Sequence, residues 1–345
     1  MPTPPPLDRL VTTNAPDPVS AEPDRRPRRV FVVGATGTIG RASVRALVRR
    51  GHEVTCFVRP ASGAAPAFDG ATIRTGDVTD PASLARDGFR GEHFDAVVSC
   101  LASRTGTARD AWAIDHQAQL HVLAAAQAAG VGHFVLLSAI CVQKPMLAFQ
   151  HAKLAFEQAL VASGLTWSIV RPTAFFKSLS GQVDRVKQGR PFLLFGDGTL
   201  TACKPISDDD LAEFIAGCLD DPGRWNRILP IGGPGPAQTP RQQGEALFAL
   251  AGRPARFTQV PVAMLDVIIA VLGALGRVIP PLADKAEFAR IGRYYATESM
   301  LVWDAEAGRY DADATPEFGS ETLRDHHARL LRGEAANERR EHAVF

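Results

Sequence analysis

The run Gly34-Ala35-Thr36-Gly37-Thr38-Ile39-Gly40 constrains this chain more than any other stretch. It stands between a short apolar segment, residues 29–33, and an amphipathic one, residues 38–50. In the second segment Ile39, Ala42, Ala46 and Leu47 share a helical face and Gly51 ends the pattern. Between a strand and a helix, glycines at this spacing allow a tight turn, close approach of the backbone to a pyrophosphate, and packing of the helix on the strand. The N–H groups of the helix start then point at the phosphates. Gly34, Thr36, Gly37, Thr38, Ile39 and Gly40 are therefore the expected cradle of a dinucleotide.

The alternation continues. Residues 53–58, 72–75, 94–99, 133–138 and 166–170 read as strands, and 110–129 and 150–163 as helices closed by Gly130 and Gly164. Near-continuous apolar strands alternating with helices predict an α/β fold, a doubly wound parallel Rossmann sheet with its ligand at the carboxyl ends of the strands. Beyond residue 172 the rhythm loosens. Ser207 with Asp210 reads as a capping box, 227–231 as a further strand, and Thr239-Pro240 as a helix start. The expected organisation is a disordered extension (1–27), a nucleotide-binding core (28–172), a smaller C-terminal substrate lobe interleaved with it (173–330) and a tail (331–345).

Charge narrows the function. With 38 Lys+Arg against 37 Asp+Glu in 345 residues, the net charge of +1 argues against a general nucleic-acid binder, and 46% hydrophobic residues argue against a disordered chain. The five cysteines are odd in number and lack any C-x-x-C spacing, so reduced thiols and no metal site are expected. Residues 1–27 hold eight prolines and no apolar run, ending in a basic cluster that includes Arg25, Arg26, Arg28 and Arg29. A cytoplasmic, bacterial setting is the expectation.

The end of the second strand discriminates between cofactors. An NAD site places Asp or Glu there for the ribose 2′-hydroxyl. Here the strand ends Cys56-Phe57-Val58-Arg59. Arg59, assisted by Arg41, suits a 2′-phosphate, so NADPH is the expected cofactor. Asp77 and Val78 follow the third strand, where a carboxylate can meet the adenine amino group. Cys100 follows the fourth, beside the expected nicotinamide ribose.

Ser138 after the fifth strand, followed by Phe149-Gln150-His151-Ala152-Lys153, resembles the short-chain dehydrogenase/reductase superfamily in its atypical or extended branch. That superfamily carries Tyr-x-x-x-Lys at this place. Here the Tyr is Phe149, and since the three tyrosines are Tyr294, Tyr295 and Tyr310, no shifted alignment restores it. Phe149 cannot exchange a proton with an alcohol or ketone. Lys153 can still hold the nicotinamide ribose. Either something other than a carbonyl is reduced, or the nucleotide is bound without turnover.

The segments Cys141-Val142-Gln143-Lys144-Pro145, Phe149–Leu154, Phe176-Lys177-Ser178-Leu179, Phe195-Gly196-Asp197-Gly198, Cys203-Lys204-Pro205-Ile206-Ser207 and Ile291–Met300 together resemble the divinyl chlorophyllide 8-vinyl reductases. The resemblance implies NADPH-dependent reduction of the C8 vinyl group of a divinyl tetrapyrrole to ethyl, in (bacterio)chlorophyll synthesis. It implies Lys153 as the catalytic, cofactor-orienting residue and Phe149 as a wall of the pigment site. Lysine is scarce, six residues with five of them between 144 and 204, so Lys144, Lys177 and Lys204 are candidates for the pigment's propionate. The proton donor is left open between solvent and Tyr294 or Tyr295 folded back over the site, with packing as the first reading of the two tyrosines. The apolar stretch 261–279 is interrupted by Asp266, Gly273, Gly276 and Arg277. It is too broken for a membrane span; a core helix is its default, with a pigment wall or peripheral contact with the photosynthetic membrane as alternatives. The competing functions are a non-catalytic NADP(H) sensor or scaffold and another ene or carbonyl reductase of an apolar substrate, for instance of the isoflavone-reductase type.

Overall fold

The computed structural model describes residues 26–60 and 68–334. Nearly all of the expected N-terminal extension and most of the tail lie outside the described residues. In chain order the elements are β1 (Arg29–Val33), α1 (Thr38–Arg49), β2 (Glu53–Val58), β3 (Ala71–Thr75), α2 (Pro81–Ser83), β4 (Ala96–Ser99), α3 (Ala108–Ala111), α4 (Gln119–Ala128), β5 (His133–Leu137), α5 (Ala148–Val161) and β6 (Thr166–Pro172). There follow α6 (Phe176–Leu179), α7 (Val183–Lys187), β7 (Phe192–Phe195), α8 (Asp208–Gly217), β8 (Arg227–Ile231), α9 (Pro240–Leu250), β9 (Phe257–Val260), α10 (Val262–Gly276), α11 (Pro280–Thr297), β10 (Val302–Asp304), β11 (Arg309–Asp311) and α12 (Leu323–Arg332).

Seven strands form one sheet in the order β3-β2-β1-β4-β5-β6-β8, every pairing parallel. The period-2 geometry of a strand divides its side chains between two helical layers. Val30 and Val32 join Ala42 and Leu47 of α1 and Leu211 and Ile215 of α8 on one face. Phe31 and Val33 join Phe94, Val122 of α4 and Phe156 of α5 on the other. Both faces are buried, which is why the strands read as continuous apolar runs. The chain reverses direction of growth between β1 and β4, and the glycine-rich loop sits at that switch point.

The structure corrects several local readings. The expected helix 110–129 is present as a continuous helical run, but its hydrogen bonding changes along the way: between α3 and α4, residues Trp112–Ala118 form a π-helical turn. Ser207 caps α8 through Asp210 N at 3.0 Å, but the Asp210 carboxylate does not complete a capping box. It accepts instead from Ser320 N and Glu321 N, pinning the C-terminal segment to the start of α8. Two small sheets, β7-β9 and β10-β11, carry no long apolar signature and were not foreseen.

The expected core helix at 261–279 is the largest departure. Its α10 part has no buried residue. It packs antiparallel against α11, so that a Cβ on Gly276 would lie 2.7 Å from Ala283 N, and Arg293 pairs with Asp266 farther along the hairpin. The outer face of α10 has no described residue over it.

Candidate active site

The nucleotide loop is built by sterics. Gly34 has φ +75°, and a Cβ there would lie 2.4 Å from the Cys100 carbonyl. A Cβ on Gly40 would lie 2.1 Å from Gly34 O. Only glycine lets β1, α1 and the segment after β4 meet this closely. Gly37 is different: a Cβ there would have 3.5 Å to Gly34 O, and the residue is exposed at the mouth of α1. No acidic residue stands in the first turn of α1, so its N–H groups open onto a cradle suited to an anion. These sterics and this donor set fit a dinucleotide pyrophosphate.

Around the cradle, Arg59 is exposed at the end of β2, close enough to influence Asp77. Asp77 Oδ1 accepts from Thr79 N and Oγ1, and these bonds, helped by Arg59, hold its carboxyl below the usual range. Arg41 donates to Thr36 O at 3.1 Å and lies over the Phe68 ring, so it borders the loop. Val78 is buried in the core. Burial pushes the Cys100 thiol up to about 12, and the residue's backbone abuts Gly34.

At the carboxyl end of β5 the structure brings together Ser138, Lys153 and Asp115. Lys153 Nζ lies 3.0 Å from Asp115 Oδ1, and the Asp115 side chain is fully buried. Asp115 sits in the π-helical turn, and its Oδ2 has no hydrogen-bond partner among the described residues. Ser138 Oγ donates to Glu157 Oε1 at 2.5 Å. Glu157, one turn beyond Lys153 on α5, is also fully buried and is clasped by Arg171 of β6. Phe149 packs with Ile291 beside Gly106, where a Cβ would lie 2.9 Å from Ile291 Cδ1 and 3.7 Å from Phe149 Cδ1.

A family model described as NAD(P)H-binding matches residues 34–222. The chloroplastic divinyl chlorophyllide a 8-vinyl-reductase of Oryza sativa subsp. indica is 52% identical over 331 residues, covering 92% of this chain and 82% of that one. The chain belongs to the divinyl chlorophyllide a 8-vinyl-reductase family. The Arabidopsis thaliana member is 46% identical over 345 residues, covering 94% of this chain and 82% of its own. Among solved structures, an NADPH-dependent quinone oxidoreductase from Escherichia coli, complexed with NADPH, superposes with a TM-score of 0.62 at 18% identity, covering 88% of this chain and 99% of that one. That likeness is one of fold: a Rossmann-type NAD(P)-binding sheet.

Within this vinyl-reductase chain the three candidate pigment lysines part company. Lys204 is buried, its ammonium bound to Glu317 Oε1 at 2.6 Å and Thr315 O at 3.1 Å; it fastens the C-terminal segment and is not available to a propionate. Lys144 pairs with Glu298 at 2.7 Å and lies over the Trp303 ring. Lys177 reaches back to the glycine loop and donates to Thr38 Oγ1 at 2.9 Å. Tyr294 is buried, donating to Cys141 O and Lys144 O, a packing arrangement that uses its only proton. Tyr295 stacks edge-on against it, and burial raises its hydroxyl well above the usual range.

Sequence reasoning missed Asp115 and Glu157. Glu157 carried a legible signal: it shares α5's inward face with Phe149, Ala152, Phe156 and Leu160, where a charged residue needs a buried partner. Asp115 had none, because the π turn that aims it inward has no sequence signature.

Proposed function

We propose that this chain reduces the C8 vinyl group of divinyl chlorophyllide or divinyl protochlorophyllide to ethyl, using NADPH, in (bacterio)chlorophyll synthesis. Membership of the vinyl-reductase family, at 52% identity over 331 residues, carries the reading. The geometry agrees with it: neither hydroxyl of a carbonyl-reducing site is available. Phe149 has none, and Ser138 spends its proton on Glu157.

NADPH supplies the hydride when bound. Gly34, Thr36, Gly37, Thr38, Ile39 and Gly40 hold the pyrophosphate, Arg59 takes the 2′-phosphate, and Asp77, Val78 and the Cys100 backbone line the adenosine and ribose path. Lys153 orients the nicotinamide half. Phe149 and Ile291 give the pigment an apolar wall that aligns the vinyl group and keeps water out, work that is chiefly orientation. Solvent supplies the proton of the new ethyl group. In this reading residues 28–172 are the nucleotide core and 173–330 the substrate lobe.

The α10–α11 hairpin extends the reading to a surface. Among the described residues no helix is long and apolar enough to cross a membrane. Yet Met264, Val267, Ile268, Val271 and Leu275 form an exposed stripe that continues into Val278 and Ile279, Val278 being 83% exposed. Exposed Arg277 and Lys285 flank it. Such a stripe suits peripheral contact with an anionic lipid surface. Ile291, on the same helix α11, lies against Phe149, so the hairpin's base borders the reaction site.

The deciding assay combines purified protein, divinyl chlorophyllide, and NADPH or NADH in parallel. A small blue shift of the Soret band, faster with NADPH, is expected. No shift with intact NADPH binding would mark a nucleotide-binding protein without turnover.

A further inference from the structure

Lys177 lies 139 residues from Thr38 in sequence, yet the two touch. The contact follows from how α6 is held. Phe175 bridges Ile206, and Phe176 N donates to Ile206 O at 3.3 Å, which sets α6 beside the start of α8. From there the Lys177 ammonium reaches Thr38 Oγ1 at 2.9 Å. Thr38 is the first residue of α1, directly after exposed Gly37. The ammonium therefore stands at the start of α1, where the helix's N–H groups open outward. Among the described residues Lys177 makes no ion pair.

A second charged group lies within electrostatic reach of Lys177. Asp208, the first residue of α8, has a buried Oδ1 with no hydrogen-bond partner among the described residues. Its charge is felt by Lys177, with Arg45, Asp209 and Glu321 as the other charged neighbours. Among the described residues Lys177 and Asp208 act on each other through charge, with no hydrogen bond or ion pair between them. An entering anion would give the ammonium the ionic partner that it lacks among the described residues.

We propose that Lys177 is a ligand of the cofactor's pyrophosphate, reaching from outside the first βαβ unit to complete the anion site formed by the α1 N–H groups and the Thr38 hydroxyl. The proposal rests on the NAD(P)H-binding reading of the loop. It replaces the propionate role expected for Lys177. It also ties cofactor occupancy to the pigment side, because Leu179, at the other end of α6, packs against the cluster that contains Phe149.

Calorimetric titration of the full-length protein with three probes tests it: NADPH, 2′-phospho-ADP-ribose, which keeps the pyrophosphate, and 2′-AMP, which lacks it. Lys177→Met should weaken the first two by about tenfold or more, the scale of a charge-assisted bond, and leave 2′-AMP within about twofold. Lys177→Arg should restore most of the loss, and the salt dependence of NADPH binding should flatten in the Met variant. Equal weakening of all three probes, or no weakening of any, would overturn the assignment. So would a raised pigment KM with unaltered nucleotide binding, which would return Lys177 to the pigment. Wild-type protein that binds none of the probes would remove the nucleotide reading itself, a failure distinct from the others.

Discussion

Ser138 gives its hydroxyl proton to Glu157, at 2.5 Å, with both side chains buried. Arg171 fixes the carboxylate from the other side, so the hydroxyl has no freedom to turn toward a substrate oxygen. The loss of carbonyl chemistry here is therefore double, and restoring one group should not restore the reaction. Phe149→Tyr is expected to gain less than about tenfold in NADP⁺-linked oxidation of secondary alcohols, where a working general acid–base contributes about 10²–10⁴-fold. Vinyl reduction should persist. A spectrophotometric alcohol assay beside the Soret assay checks both; robust alcohol turnover in this single variant would show that Ser138 is not silenced.

Asp115 and Lys153 form a buried pair, and removing one member leaves the other uncompensated, at a cost of about 3–5 kcal/mol when fully buried. Asp115→Asn keeps the shape and removes the charge. The expected results are a lower Tm and an NADPH Kd raised by about tenfold, or about 1.4 kcal/mol. If Asp115 acts through Lys153, adding Asp115→Asn to Lys153→Ala changes nucleotide binding no further. Additive losses would separate the two residues.

The cradle glycines should fail in different ways. Gly40→Ala drives a Cβ to 2.1 Å from Gly34 O, a contact that only backbone movement relieves, so the variant should unfold at markedly lower temperature with or without nucleotide. Gly37→Ala has 3.5 Å of room and should fold normally. Its methyl group nonetheless stands at the mouth of α1, and NADPH affinity should fall. Thermal unfolding and calorimetry on the two variants separate these outcomes.

Much of this fold is visible in the chain because its determinants are local. Phe31 and Val32 face opposite helical layers, and a strand buried on both sides must read as an unbroken apolar run. The loop at 34–40 and the Phe149/Lys153 spacing are legible for the same reason. The lysines are not, since what each one does depends on a partner far along the chain: Lys144 on Glu298, Lys177 on Thr38, Lys204 on Glu317. Nor does α10 declare its place. An apolar helix has the same composition whether buried or bare, and only the packing shows that no described residue covers its outer face.

Burial pushes the Asp208 carboxyl up to about 6, with Lys177 opposing and Asp209 and Glu321 adding to the shift. A carboxyl whose folded-state value is raised binds its proton more tightly folded than unfolded. Its contribution to stability is fully present below the ordinary value of 3.8 and is lost as pH rises toward about 6. Asp208→Asn cannot ionise. The Tm of the variant minus that of the wild type should therefore increase between pH 5 and pH 7.5, set as about one unit below and above the transition. A difference independent of pH would mean that Asp208 titrates as an ordinary solvated carboxyl.

The bare hairpin makes the last prediction. Burying one Val or Leu side chain contributes about 1.5–3 kcal/mol, so several along one stripe can hold a protein at a lipid surface without spanning it. Full-length protein should float with vesicles of phosphatidylglycerol and phosphatidylcholine. Val267→Asp combined with Val271→Asp removes two contacts from the middle of the stripe and should lower the floated fraction at least about tenfold. Neither residue lies among those packed around Phe149, so reduction of detergent-dispersed pigment should survive the change. If the double variant floats as the wild type does, the stripe is not the membrane contact. If it stops floating and also loses activity on dispersed pigment, the hairpin shapes the site itself.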